Sequence, residues 1–194
     1  MTQYIEPYSL PCLISGGQTG VDTVALQTAM DLGIYTAGWC PLGRRCESGK
    51  IPAHFPLRES SSPKYAQRTR LNIRDSDATL IFSGGNLSGG TALTAKIVQR
   101  LDKPLLIIDL AKQTTVQAAH SIVKWLYAWK PCILNVAGPR FSEAPHIDHK
   151  VQQILTLVLV SAEGSPNRSP QDPVGEGEHA KWPPGSETPD LPID

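Results

Sequence analysis

The chain has 194 residues, 40% of them hydrophobic, and 18 Lys plus Arg balance 18 Asp plus Glu, so its formal net charge is zero. That length suits one α/β domain, and the balanced charge gives no steering toward nucleic acid or an acidic membrane. No apolar run approaches the roughly 18 residues of a membrane span, and the N-terminus lacks the basic start and apolar stretch of a signal peptide. The four cysteines, Cys12, Cys40, Cys46 and Cys132, make no Cys-x-x-Cys pair, so a reducing cytoplasm is the simplest setting. Cys12 and Cys132 stand in apolar runs and are expected to be buried.

In chain order, residues 1–10 show little pattern. Pro11–Ser15 reads as a strand apolar on both faces, as a central parallel strand should be. It runs through Gly16-Gly17-Gln18-Thr19-Gly20 into a helix with Val21, Val24, Ala25, Ala29 and Leu32 on one stripe, stopped by Gly33. Ile34–Ala37 reads as a second, short strand. From Gly38 to Pro63 neither period is visible; a loop this long is functional or disordered, and Trp39, Ile51, Phe55 and Leu57 favour order by offering anchors. Leu57–Glu59 is a brief strand within it. Tyr65–Ser76 reads as a polar helix carrying Arg68, Arg70 and Arg74. The strand Ala78–Phe82 follows, then the turn Ser83-Gly84-Gly85-Asn86-Leu87-Ser88-Gly89-Gly90-Thr91, then a helix with Leu93, Ile97, Val98 and Leu101 in register. Pro104–Asp109 is a strand, and Val116–Trp129 a helix with Val116, Ala119, Val123 and Leu126 inward. The strand Cys132–Val136 ends in Ala137-Gly138-Pro139-Arg140, and a last helix carries Ile147, Val151, Ile154, Leu155, Val158 and Leu159. The domain is expected to span 1–162; beyond it Pro, Gly, Ser, Glu and Asp dominate, and 163–194 reads as a disordered tail.

Strands alternate with helices, which predicts a mainly parallel sheet covered on both faces, with ligands bound at the strand C-termini near the switch in strand order. Three small-residue loops should meet there: Gly16–Gly20, Ser83–Thr91 and Asn135–Arg140. Glycines admit close backbone approach, and helix N-termini attract anions. The candidate binding residues are therefore Gly17, Gln18, Thr19, Gly20 and Asp22 on the first loop, Ser83, Gly84, Ser88, Gly89, Gly90 and Thr91 on the second, and Asn135, Gly138 and Arg140 on the third, with Arg44 and Arg45 from the long loop. Ser88–Thr91 is the strongest phosphate-binding candidate. Thr19 either offers its hydroxyl to an anion or caps its helix. Asp22 either accepts from a ligand N–H or hydroxyl or complements the helix dipole. The arginines match phosphate geometry but are otherwise solvated charges. The Gly-x-Gly-x-x-Gly fingerprint and the Gly-Lys-Ser/Thr phosphate loop are both absent, which disfavours ordinary NAD or ATP chemistry. No nucleophile–base spacing and no metal-ligand spacing is visible, so no direct protein–metal ligand is expected.

The runs Gly16-Gly17-Gln18-Thr19-Gly20-Val21-Asp22, Gly38-Trp39-Cys40-Pro41 with Gly43-Arg44-Arg45, Tyr65-Ala66-Gln67-Arg68-Thr69, Asn72 to Thr79, Gly89 to Thr94 and Leu134 to Arg140 resemble the molybdenum cofactor carrier proteins, over about residues 11–160. The resemblance implies a Rossmann-like three-layer α/β/α fold. It further implies a cytoplasmic homo-oligomer, dimer or tetramer, that stores molybdopterin non-covalently for molybdoenzymes or their insertion machinery and is not an enzyme. A wider resemblance is to lonely-guy-type phosphoribohydrolases, whose Pro-Gly-Gly-x-Gly-Thr-x-x-Glu loop aligns with Ser88–Thr94 here. Thr94 stands at the catalytic Glu position and cannot act as that base, so hydrolysis of a nucleotide remains the alternative reading.

Overall fold

The computed structural model describes residues 5–162, which leaves the proposed tail outside the described residues. The chain opens with β1 (Tyr8–Leu10) and β2 (Cys12–Ile14), then α1 (Val21–Asp31) and β3 (Tyr35–Ala37). The long loop holds β4 (Trp39–Cys40), β5 (Arg45–Cys46), β6 (Gly49–Lys50) and β7 (Arg58–Glu59). There follow α2 (Tyr65–Arg74), β8 (Ala78–Ser83), α3 (Gly89–Arg100), β9 (Leu105–Asp109), α4 (Thr115–Trp129), β10 (Ile133–Ala137), α5 (Asp148–Val158) and β11 (Leu159–Ser161).

Five strands form the central sheet in the order β3-β2-β10-β8-β9. Every pairing in it is parallel, so all five C-termini lie along one edge. Parallel strands need long crossovers, and the helices supply them. Alternation along the strands sorts the two faces. Leu13, Leu134, Val136, Leu80, Phe82 and Ile108 join Ala25 and Leu26 of α1, Ile122 and Leu126 of α4 and Ile154 and Leu155 of α5 in the main core. On the other face Ile81 and Ala137 meet Ala95 of α3, and Cys12, Ile14 and Ala37 form a smaller cluster. The fold is thus a single Rossmann-like three-layer α/β/α domain.

Several local expectations are corrected. Within the stretch read as a lead-in, Tyr8–Leu10 forms a strand: β1 pairs in parallel with β11, Tyr8 opposite Leu159. Tyr8 is further fixed by a hydrogen bond from its hydroxyl to the Pro131 carbonyl (3.1 Å) and an edge contact with Tyr127. A three-residue strand whose partner lies at the far end of the domain leaves no periodic trace. Val116 is exposed, because it sits on the outer side of the first turn of α4, and Leu101 is exposed as the residue that ends α3. Cys132 is exposed rather than buried, since it precedes β10 at the N-terminal edge of the sheet, where its N–H is held by Asp77 (2.9 Å). Cys12 is buried, and burial pushes its thiol up to about 12.

The long loop is ordered by anchors and one clamp. Ile51, Phe55 and Leu57 are buried in the main core. Arg44 donates from Nε to the Ile51 carbonyl (3.3 Å), from Nη1 to Leu57 (3.1 Å) and from Nη2 to Pro52 (2.8 Å) and Phe55 (2.9 Å). A loop cannot pair its carbonyls in a ladder, so one guanidinium collects four of them.

Candidate functional site

Consecutive strands run outward to opposite sides of the sheet from β2 and from β8, and β10 returns between them. This is the switch in strand order, where the loops after neighbouring strands diverge and leave a crevice. The crevice is a cleft lined by Gln18 and Asp22 after β2, Gly90, Thr91 and Thr94 of α3, and Gly138, Arg140 and Glu143 after β10. Helix α2 adds Tyr65, Arg68 and Thr69 as a fourth wall. The cleft holds about 60 Å³. A water needs about 10–15 Å³ of such space, so this is room for a few waters or one group the size of a phosphate.

The start of α3 supplies the donors. Ser88 is extended (φ −136°, ψ 169°) and its side chain makes no cap hydrogen bond, so the N–H groups of the first turn are left for solvent or a ligand. A Cβ at Gly90 would meet nothing within 4 Å. The glycine therefore keeps space open rather than relieving a contact. Thr94 is buried, and its hydroxyl donates to the Gly90 carbonyl (2.9 Å), which spends its proton inside the helix.

Opposite lies a buried charged pair. Arg68 Nη2 is 3.2 Å from Asp22 Oδ2, with side chains 14% and 3% exposed. Burial pushes the Asp22 carboxyl above the ordinary carboxylate range, against the pull of Arg68 and of the Gln18 N–H that it accepts (3.3 Å). The Arg68 guanidinium packs directly on Gly16: a Cβ there would be 1.8 Å from Nη1. Its Nε is buried without a hydrogen-bond partner. An orphaned guanidinium N–H beside the cleft is a donor that a bound anion would satisfy. Arg140 is the second arginine, with Nε 3.3 Å from Glu143 and 3.9 Å from Glu47.

Of the residues singled out in the sequence, Gln18, Asp22, Gly90, Thr91, Gly138 and Arg140 meet at the cleft. The others have different places. Gly20 (φ +81°) needs the left-handed region, and a Cβ there would come 2.7 Å from the Pro139 carbonyl, so it lets the first loop press on the third. Gly138 borders the cleft, but a Cβ would be 2.6 Å from Val21, so it also seats α1 on β10. Gly17 packs on Leu57 and Ile51. Asn135 is buried in the sheet and donates to Thr79 (3.3 Å). Ser83 is buried at the end of β8, and Gly84 faces Ile147 and Ala144. Ser88 and Gly89 precede the cleft wall, and Gly89 lies near the Glu143 carboxylate. Thr19 donates its hydroxyl to Glu47. Arg44 is committed to the loop carbonyls described above, and Arg45 is exposed on β5 without lining the cleft.

Residues 13–159 match the model of the circularly permutated YpsA SLOG family. The chain belongs to that family. In keeping with it, the chain is similar to a solved structure from Syntrophus aciditrophicus SB named "putative molybdenum carrier protein", with 39% sequence identity and a TM-score of 0.76, over 78% of this chain and 96% of that one. No curated protein matches the chain. Within this family member the cleft wall that sequence reasoning missed is α2: Arg68 reads as one more surface arginine on a polar helix. The available signal was Gly16, whose missing side chain makes room for the guanidinium. Glu143 was missed too, because nothing in an irregular loop foretells that its carboxylate turns back on Arg140. Among the described residues, no group of three or more His, Cys, Asp and Glu is placed to hold a metal ion, and no helix is long and apolar enough to cross a membrane.

Proposed function

We propose that the cleft binds the terminal phosphate of the molybdenum cofactor, molybdopterin, and that the protein stores or carries this cofactor without transforming it. The observation that carries the reading is the open, uncapped start of α3 at Gly90, which shares one cleft with Arg68, whose Nε is unpaired, and with Arg140. Helix N-terminal N–H groups and arginine forks are the two protein features best matched to a phosphate. The cleft has room for the phosphate end alone, so the pterin lies outward across the rim, where the Glu143 carboxylate can accept from its N–H groups. The name of the Syntrophus protein supports a molybdenum-related ligand. The expected setting is a cytoplasmic homo-oligomer that hands the cofactor to molybdoenzymes or their insertion machinery.

The second reading is a nucleotide phosphoribohydrolase, favoured by the same phosphate cradle. It lacks an unpaired base: Thr94 stands in the cleft with its hydroxyl bonded to Gly90, Glu143 is ion-paired with Arg140, and Asp22 is ion-paired with Arg68. The deciding experiment incubates the purified protein with molybdopterin released from a molybdoenzyme, and separately with adenosine monophosphate. Co-elution of the pterin with the protein and no free adenine is the expected result. Adenine released in proportion to enzyme, with no pterin retained, overturns the carrier reading.

A further inference from the structure

A second constellation lies beside the cleft, centred on Glu47. This residue sits at the tip of the β5–β6 hairpin. The base of the hairpin is fixed by buried Cys46 and by the Arg44 clamp, whereas the tip reaches across the surface to two other loops. Its carboxylate accepts from the Thr19 hydroxyl, from the Ser142 N–H (3.2 Å) and from the Ser142 hydroxyl (2.5 Å), with Arg140 Nε at 3.9 Å. Its own N–H donates to Gln18 Oε1 (2.9 Å). Taken without the carboxylate, the partners are two hydroxyls, a backbone N–H and a guanidinium, brought from the loops after β2 and β10 to one point. Such a set offers three donors and one positive charge, which Arg140 shares with the Glu143 carboxylate at 3.3 Å, and donors of this kind suit an oxoanion. The Ser142 and Thr19 hydrogen bonds hold the Glu47 carboxyl below its ordinary range, so the donors favour negative charge at that point.

We propose that these donors form an oxoanion-binding nest in which Glu47 is a resident internal ligand, and that a dianionic tetrahedral oxoanion takes its place and frees the hairpin tip from the β10–α5 loop. The inference rests on the reading of the cleft as an anion site, because Arg140 serves both. A tethered carboxylate competes at a high effective concentration. The apparent affinity of any external anion is therefore reduced by the fraction of molecules in which Glu47 is seated. The oxoanion is either the phosphate of a monoester or a free dianion, and the probes below separate the two.

The experiment titrates the full chain and its Glu47→Gln variant with inorganic phosphate, molybdate and glycerol 3-phosphate by calorimetry. Glu47→Gln keeps the size of the side chain and removes its charge, and Glu47 lies at the surface, so the fold is retained; a thermal melt checks this. At least about fivefold tighter binding of one or more probes is expected. Tightening by all three identifies a nest for any dianion, and tightening by glycerol 3-phosphate alone identifies a monoester site. Adding Ser142→Ala to the variant should return the affinity toward wild type. Amide exchange on the wild type gives an independent readout: saturating anion should leave the Ser142 N–H protected and expose the Glu47 N–H. Unchanged affinity for all three probes, no binding by either protein at millimolar anion, or a Glu47 N–H still protected at saturation overturns the inference. If Gly90→Val abolishes cofactor binding while Glu47→Gln changes nothing, the nest fails and the cleft reading stands. If Gly90→Val leaves cofactor binding intact while Glu47→Gln tightens the anions, the cleft reading fails instead.

Discussion

Gly90 separates a binding role from a packing role more cleanly than any other glycine among the described residues. It lies in the first turn of α3, its φ is not positive, and a Cβ there would touch nothing. The Cβ of a Gly90→Val variant therefore meets no steric resistance from the protein. Valine is a better helix former than glycine by a few tenths of a kcal/mol, so stability should change by less than about 0.5 kcal/mol. That corresponds to a Tm shift of roughly 2 °C or less for a domain of this size. The added carbons instead project into a cleft of about 60 Å³, where they would exclude an anion from the N–H groups of the turn. Losing one or two hydrogen bonds to a charged group costs about 1.5–3 kcal/mol each. Affinity for a phosphate-bearing ligand should thus fall at least about tenfold. Gly138→Ala is the internal contrast: its Cβ would lie 2.6 Å from Val21, and overpacking of this kind costs about 1–3 kcal/mol. Thermal melts and ligand titration of both variants check the pair. A Gly90→Val protein that loses stability while binding normally would refute the argument, because the glycine would then be serving the fold.

Arg140→Ala should weaken phosphate-bearing ligands by about 1.5 kcal/mol, the low end for a charged hydrogen bond, since the side chain is 36% exposed and already shared by two carboxylates; titration calorimetry measures it. Arg44→Ala should act on stability instead. Removing donors to four loop carbonyls costs about 2–3 kcal/mol, read as a Tm lowered by roughly 5–10 °C, with the anion affinity of the folded protein changed by less than about twofold. Thiol alkylation at pH 8 should label Cys132 rapidly and leave Cys12 unmodified, because one is exposed and the other is buried with its thiol pushed up to about 12. Mass mapping of the labelled peptides distinguishes them, and modification of Cys12 at a comparable rate would contradict the burial.

The layered fold was legible because each main strand is a short apolar run closed by small residues and followed by a helix with a 3.6 period. Strand boundaries agree to within one or two residues, as with Pro104–Asp109 against β9 (Leu105–Asp109). What escaped were features whose partners are remote. The pairing of β1 with β11 joins the two ends of the domain; of the two-residue ladders β4–β7 and β5–β6 only β7 was read, as the brief strand Leu57–Glu59, because two residues are too short for any period to appear.

The site was legible to a different degree, and the arginines explain why. Arg44 stands in a Gly- and Pro-rich loop, where a guanidinium resembles a ligand-binding fork, and Arg68 stands on a polar helix, where it resembles a solvated charge. The structure gives each a different place. A loop that turns back on itself exposes carbonyls with no ladder to join, and Arg44 is consumed in satisfying them. The helix under Arg68 instead turns its charge inward over Gly16 and against Asp22, leaving Nε with nothing to bond. The same holds for the Trp39 and Asn72 motifs: their backbone and amide groups bond to each other, and Trp39 Nε1 donates to Asp75, so that spacing serves folding. Residue type signals a capacity to bind, and only the hydrogen-bond balance of the neighbourhood shows whether that capacity is already used. By that criterion the start of α3 and Arg68 Nε retain unused donors, and the proposed phosphate belongs between them.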